Sequence, residues 1–219
     1  MCGRFTIVKD GRVIMDYYSQ LEADEAFERL HRATYNAAPS QSLPVATAEG
    51  LELMTWGLVP AWSKEFKPSF TTINARAESV QDRPLYKLPF LRRRALIPAS
   101  GFYEWQKRGA AKQPYYFYLP NRDLFSFAGL YDVWYDEHRN PKKSFTIITT
   151  QGNDTLSGIH ERMPVILDQT EELHWLDPKT KPEQLQLLLD PYADTMAKHE
   201  VDLAVGNVRN NHPGLINSL

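Results

Sequence analysis

The sequence predicts a single α+β domain over residues 1–219, with a mainly antiparallel sheet that curls toward a barrel and helices at its periphery. Three observations carry that expectation. Segments 94–98, 101–107, 115–119, 124–134 and 144–150 are rich in aromatic and β-branched residues and follow one another closely, as hairpin-linked strands do. The longer helical patterns are few, at 16–32, 169–176 and 182–198. The 15 prolines are scattered, and no repeat, low-complexity run or linker divides the chain.

The elements follow in order. Residues 16–32 place Tyr17, Leu21, Phe27 and Leu30 on one face among acidic residues, an amphipathic surface helix. Residues 35–44 read as loop and 52–58 as a strand ended by Pro60. Residues 66–74 read as an extended loop into a short strand, with a brief helix after Asn74; Pro84 and Pro89 frame another. Lys107, Arg108 and Gly109 turn a hairpin, and 199–205 is a final strand.

Composition bounds the function. Hydrophobic residues make up 42% and charged residues 24%, which excludes extensive disorder. No segment approaches the roughly 18 apolar residues needed to span a bilayer. The start of the chain has no apolar signal core, so a cytoplasmic protein is expected. With one cysteine, Cys2, there is no intrachain disulfide and no Cys-rich zinc site. Net charge is −2, against bulk electrostatic wrapping of nucleic acid, but it is uneven: 1–110 hold 15 Lys+Arg against 12 Asp+Glu, and 111–219 hold 10 against 15. A local basic groove is compatible with that split.

Cys2 is the first chemical candidate. A small second residue favours removal of Met1, which would leave a cysteine with its α-amine and thiol on adjacent carbons. Unperturbed, these titrate near 7.7–8.0 and about 8.5. Such a pair can act as a nucleophile, or condense with an aldehyde to an imine that the thiol closes into a thiazolidine. The alternative is an inert terminus. Glu104, in Gly101-Phe102-Tyr103-Glu104-Trp105, shares a strand face with Phe102 and Gln106. Buried, it would have a raised pKa and could shuttle a proton; facing outward, it would be an ordinary strand glutamate. His160 could be an acid or base, or a structural histidine. Asn74 could cap a helix or aim its amide at a bound group, and Arg76 could pair with Glu78. Arg92–Arg94 could meet phosphate or solvent. Trp56 and Trp62 could stack on bases, although core packing is the commoner role for Trp.

Six motifs occur in order: MCGR at 1–4, YNAAP at 35–39, WGLVPAW at 56–62, INARAE at 73–78, GFYEW at 101–105 and IHERMP at 159–164, with VGNVRNN at 205–211 following. Together they resemble the SOS-response-associated peptidase (SRAP) family of abasic-site-crosslinking proteins, over about residues 2–211. The resemblance implies a sensor that binds single-stranded DNA at an abasic site and links Cys2 to the open-ring aldehyde as a thiazolidine. It implies that Asn74 holds the reacting amine and sugar. Glu104 would transfer protons and assist removal of a leading residue, and His160 would assist ring opening. Arg4, Arg76 and Arg162 would hold flanking phosphates, and Asn36, Trp56 and Trp62 would line the DNA groove. It implies no metal or organic cofactor, no membrane partner and a monomer, cytoplasmic and nucleoid-associated when bound to DNA. Two other readings stay open. An N-terminal-nucleophile amidohydrolase would also use Cys2, but the chain lacks the Asn-Gly pair of the amidotransferases. A non-catalytic single-strand-binding module would form no covalent product.

Overall fold

The computed structural model describes residues 2–23 and 25–219. The strands are β1 (Phe5–Ile7), β2 (Thr34–Ala37), β3 (Ser42–Thr47), β4 (Gly50–Trp56), β5 (Asn74–Arg76), β6 (Arg94–Ala99), β7 (Gly101–Arg108), β8 (Ala111–Tyr118), β9 (Phe125–Tyr135), β10 (Pro141–Gln151), β11 (Arg162–Pro164), β12 (Ile166–Leu167) and β13 (Ala197–Glu200). The helices are α1 (Gly11–Tyr17), α2 (Glu25–Leu30), α3 (Pro84–Arg92), α4 (Gln169–Leu176) and α5 (Pro182–Leu187). Strands β10, β4, β3, β6 and β9 pair in turn, and β9 returns to β10, closing a five-stranded barrel. Closure crowds Gly129 on β9: a Cβ there would lie 2.7 Å from the Thr146 carbonyl and closer still to Ile97, so only glycine fits.

A second sheet, in the order β13-β8-β7-β1-β2, packs on the barrel. Phe5 of β1 meets Trp56 and Phe127 edge-on at 5.1 and 5.7 Å, and Phe102 of β7 meets Phe127 at 6.1 Å. Such pairs add about 0.5–1.5 kcal/mol each beyond their area burial. The opposite face of β7 presents Tyr103, which joins Tyr116, Val201, Val205 and Leu215 in a smaller core under the C-terminal segment. Both faces of β7 are therefore covered over Phe102–Glu104, which settles the alternation read from the sequence in favour of an inward Glu104.

Three expected elements differ. The helix expected over 16–32 is two short helices. Asp10 caps α1 by accepting from the Val13 N–H at 3.0 Å, starting it five residues earlier. It ends at Tyr17 because Tyr18 turns inward to reach Ser126 Oγ at 2.5 Å, while Tyr17 bonds Glu172 at 2.8 Å. The 22–23 segment is then drawn onto β4. The loop expected over 35–44 is largely strand. Pro44 is tolerated in β3 because β6 pairs with β3 only at Ala46, leaving its missing N–H uncounted. The helix expected over 182–198 stops at Leu187, before Pro191, and Ala197–Glu200 instead joins β8.

The tail is clamped rather than regular. Asn36 Nδ2 donates to the carbonyls of Val205, Asn207 and Asn210 at 3.2, 3.1 and 2.8 Å. Its Oδ1 accepts from Arg4 Nη1 at 2.7 Å, and Arg4 also donates to the carbonyls of Val205 and Gly206. Asn36→Ala would strip one buried residue of all these contacts. We expect a loss of about 3 kcal/mol, read as a lower midpoint in urea unfolding; an unchanged midpoint would show that the tail docks without it.

Candidate functional site

The strand register assembles the site. The Tyr103 N–H donates to the Arg4 carbonyl at 3.0 Å, so the β1–β7 pairing continues past Phe5 and carries Cys2 alongside Glu104. Across the molecule, β10 exchanges neighbours near its C-terminal end. One edge pairs with β4 at Ser144–Phe145 and then in parallel with β5, setting Ile147 opposite Asn74 and Thr149 opposite Arg76. The other pairs with β9 and then β11, setting Gln151 opposite Arg162. Asn74, Arg76 and Arg162 thus gather at one end of one long strand. His160 arrives on the turn before β11, which is tied back by Gln106 Nε2 donating to the Gly158 carbonyl at 3.0 Å.

Four of the expected residues meet. Asn74 Nδ2 donates to the Cys2 carbonyl at 2.8 Å, and Glu104 Oε2 lies 4.0 Å from His160 Nε2. His160 Nδ1 lies 3.0 Å from the Arg162 nitrogen and 3.1 Å from the Arg162 carbonyl oxygen, which fixes the ring with Nε2 facing Glu104. Glu104 is only 3% exposed, and burial raises its carboxyl pKa. Cys2 is fully buried; burial first, and the Glu104 charge second, push its thiol well above the usual range. At neutral pH the sulfur therefore waits as a thiol, and a carboxyl able to move a proton stands beside it. Asn74 Oδ1 is buried and has no hydrogen-bond partner among the described residues, leaving one acceptor directed into the site.

Glu104 supplies a stability test. Its folded-state pKa is raised, so between the unfolded value and the folded one the native state binds more protons than the unfolded chain, and stability falls as pH rises through that window. Glu104→Gln removes the penalty. The variant should gain stability over the parent with rising pH and hold the gain above the folded pKa. Parallel melts at acidic and neutral pH would show this; a constant gap between the two proteins would contradict a buried carboxyl that ionises at a cost.

Two clefts approach the group. One, of about 600 Å³, is lined by Trp62, Asn74, Arg76, Arg83 and Tyr86. The other, of about 430 Å³, is lined by Glu104, Trp105, Lys107, Lys112, His160 and Gly206. Trp62 is 77% exposed and offers a free ring face. Arg76 is exposed at the cleft mouth. Arg162 is held by the Glu78 carboxylate and the Thr149 carbonyl.

Three expected groove residues are placed otherwise. Trp56 is fully buried, stacked on Phe145 at 6.2 Å and donating to the Ile73 carbonyl at 3.0 Å, so it has no face for a base and supports the site from beneath. Asn36 is buried and Arg4 half-buried, and both are engaged with the tail carbonyls. In the Arg92–Arg94 run, Arg93 pairs with Asp132 and Arg94 bonds the carbonyls of Phe90, Leu91, Trp175 and Asp177. Sequence reasoning missed Tyr86, whose hydroxyl donates to the Asn74 carbonyl at 3.2 Å, and Arg83. Only their nearness to the helix framed by Pro84 hinted at either.

Residues 1–208 match the family described as SOS response associated peptidase (SRAP). The chain is 41% identical over 226 residues to the abasic site processing protein YoqW of Bacillus subtilis, with all of both chains covered. It is 35% identical to the abasic site processing protein HMCES of Gallus gallus, over 85% of this chain and 66% of that one. Among solved structures, a crystal structure of a protein from Bacteroides thetaiotaomicron superposes over the whole of both chains with a TM-score of 0.90 at 27% identity.

Proposed function

The chain belongs to the SOS response associated peptidase family, and from that premise we propose that it processes abasic sites in single-stranded DNA by linking itself to them through Cys2. The observation that carries the reading is the convergence of Asn74, Glu104 and His160 on the Cys2 end of the chain. Removal of Met1, which lies outside the described residues, would free the Cys2 α-amine.

The steps balance without an oxidant or reductant. His160 and Glu104 exchange protons with the closed hemiacetal sugar and open it to the aldehyde. The neutral amine adds to the carbonyl carbon, and water leaves to give an imine. The thiol then adds across the C=N bond, its proton passing to nitrogen with Glu104 as relay, and the five-membered thiazolidine closes. The high thiol pKa favours amine attack first, and disfavours a resting thiolate that would hydrolyse amides. Asn74 holds the Cys2 carbonyl, and its unused Oδ1 can accept from the amine or a sugar hydroxyl. Trp62, Arg76 and Arg162 would hold the strand. Glu104 would also serve removal of the leading residue, in keeping with the family's description as peptidases.

Intact mass spectrometry after incubation with abasic single-stranded DNA tests this. The expected product has the mass of protein without Met1 plus DNA, less one water. DNA binding without that product would favour a non-catalytic single-strand-binding module.

A further inference from the structure

We propose that Lys107 and Lys112, paired across the β7–β8 hairpin, hold a backbone phosphate of the DNA arm that leaves the site on the Glu104–His160 side; this rests on the function proposed above. The two lysines sit directly opposite each other in the antiparallel register. Like charges in that position oppose strand pairing. Both are exposed, and neither is given an ion pair or hydrogen bond among the described residues. Their basic neighbour is differently placed: Arg108 is taken up by Glu200 and Tyr115. The hairpin therefore presents two uncommitted cations and one neutralised one.

Their location gives the pair a direction. Lys107 and Lys112 line the same cleft of about 430 Å³ as Glu104, Trp105 and His160. The arginines Arg76 and Arg83 line the separate cleft on the Asn74 side. A strand whose abasic sugar sits at Cys2 has two arms, and the molecule offers one basic cleft for each. A phosphate between the two ammonium groups would replace their repulsion with two favourable contacts, while the indole of Trp105 offers apolar surface beside it. The cleft also contains the Glu104 carboxyl, but that group is buried, so the rim facing the strand is basic.

The test uses single-stranded oligonucleotides without an abasic site, so that binding is measured apart from covalent chemistry, and abasic oligonucleotides shortened on one arm or the other. In Lys107→Gln/Lys112→Gln, affinity for intact single-stranded DNA should fall several-fold. The slope of log K against log salt should become shallower by about 0.7, the share of the one phosphate that is lost. The defect should vanish when one particular arm is removed and persist when the other is. Lys112→Glu turns cross-strand repulsion into attraction, so its melting temperature should not fall while its affinity drops further than in Lys112→Gln. Unchanged affinity and slope, an equal defect on both shortened substrates, or no binding of single-stranded DNA by the parent protein would each overturn the proposal. A lysine-dependent slope without any covalent adduct would instead overturn the Cys2 chemistry and leave the lysine contact standing.

Discussion

A chain with one permanent residue ahead of Cys2 should form no DNA adduct that survives denaturation, and Cys2→Ala should form none either, for different reasons. In the extended chain the α-nitrogen of Cys2 is an amide and cannot attack an aldehyde. The remaining thiol gives only a reversible hemithioacetal, and burial holds it protonated. In Cys2→Ala the amine is intact, so an imine can form, but nothing closes the ring. That imine should be captured by borohydride and lost without it. Extension thus removes both products, and Cys2→Ala removes only the stable one. The effect is expected to be complete, because each change deletes a bond-forming atom or its lone pair rather than weakening a contact. Both variants should still bind single-stranded DNA, since the clefts bearing Arg76 and Lys107 are untouched. A stable adduct from the extended protein would sink the thiazolidine route.

The grouping of the site residues was legible in the ordered motifs and the family they resemble rather than in any single residue. Cys2, Asn74, Glu104 and His160 lie far apart along the chain, yet each carries a functional group suited to one step, and the fold gathers them through β7, β5 and the turn before β11. Period-two alternation put Glu104 on the face of Phe102 but left that face inward or outward, and the packing of Phe102 on the barrel decides it. Polar residues inside the same motifs were harder. Arg4 and Asn36 sit inside the motifs that carry the candidate site, but the irregular tail at 203–216 carries carbonyls that no sheet satisfies, and these two side chains supply the donors. Nothing local in the sequence marks which distant carbonyls need a partner. Trp56 could stack on bases or, more commonly for an indole, pack in the core, and the positions of Phe5 and Phe145 decide for the core. The helix expected over 16–32 failed for a similar reason: its apolar spacing is real, but Tyr18 finds Ser126 across the barrel, and that contact overrides local periodicity.

His160→Ala and Glu104→Gln should each slow adduct formation by about 10²–10⁴-fold, and substrate and pH should tell them apart. An imidazole whose Nε2 lies 4.0 Å from a carboxyl pairs an acid with a base, so that one oxygen of the closed sugar can be protonated while the other is deprotonated. That work is needed only while the sugar is cyclic. His160→Ala should therefore be severely impaired on a natural abasic site, and much less so on a DNA aldehyde that cannot cyclise. Glu104 has a second duty, the amine proton. The free α-amine titrates at about 7.7–8.0, so at lower pH most of it is protonated and needs a base. Burial raises the Glu104 pKa, so its basic form accumulates only as pH climbs past the ordinary carboxylate range. The parent rate should rise with pH through that raised value. Glu104→Gln lacks this limb: its defect should be deepest between the raised Glu104 pKa and the amine pKa, and partly relieved at higher pH once the amine loses its proton unaided, on both substrates alike. Single-turnover rates for the two variants on the two substrates, across pH, resolve the roles. Equal defects of His160→Ala on cyclic and non-cyclisable aldehydes would remove ring opening from His160, and a pH-independent defect in Glu104→Gln would remove the amine proton from Glu104.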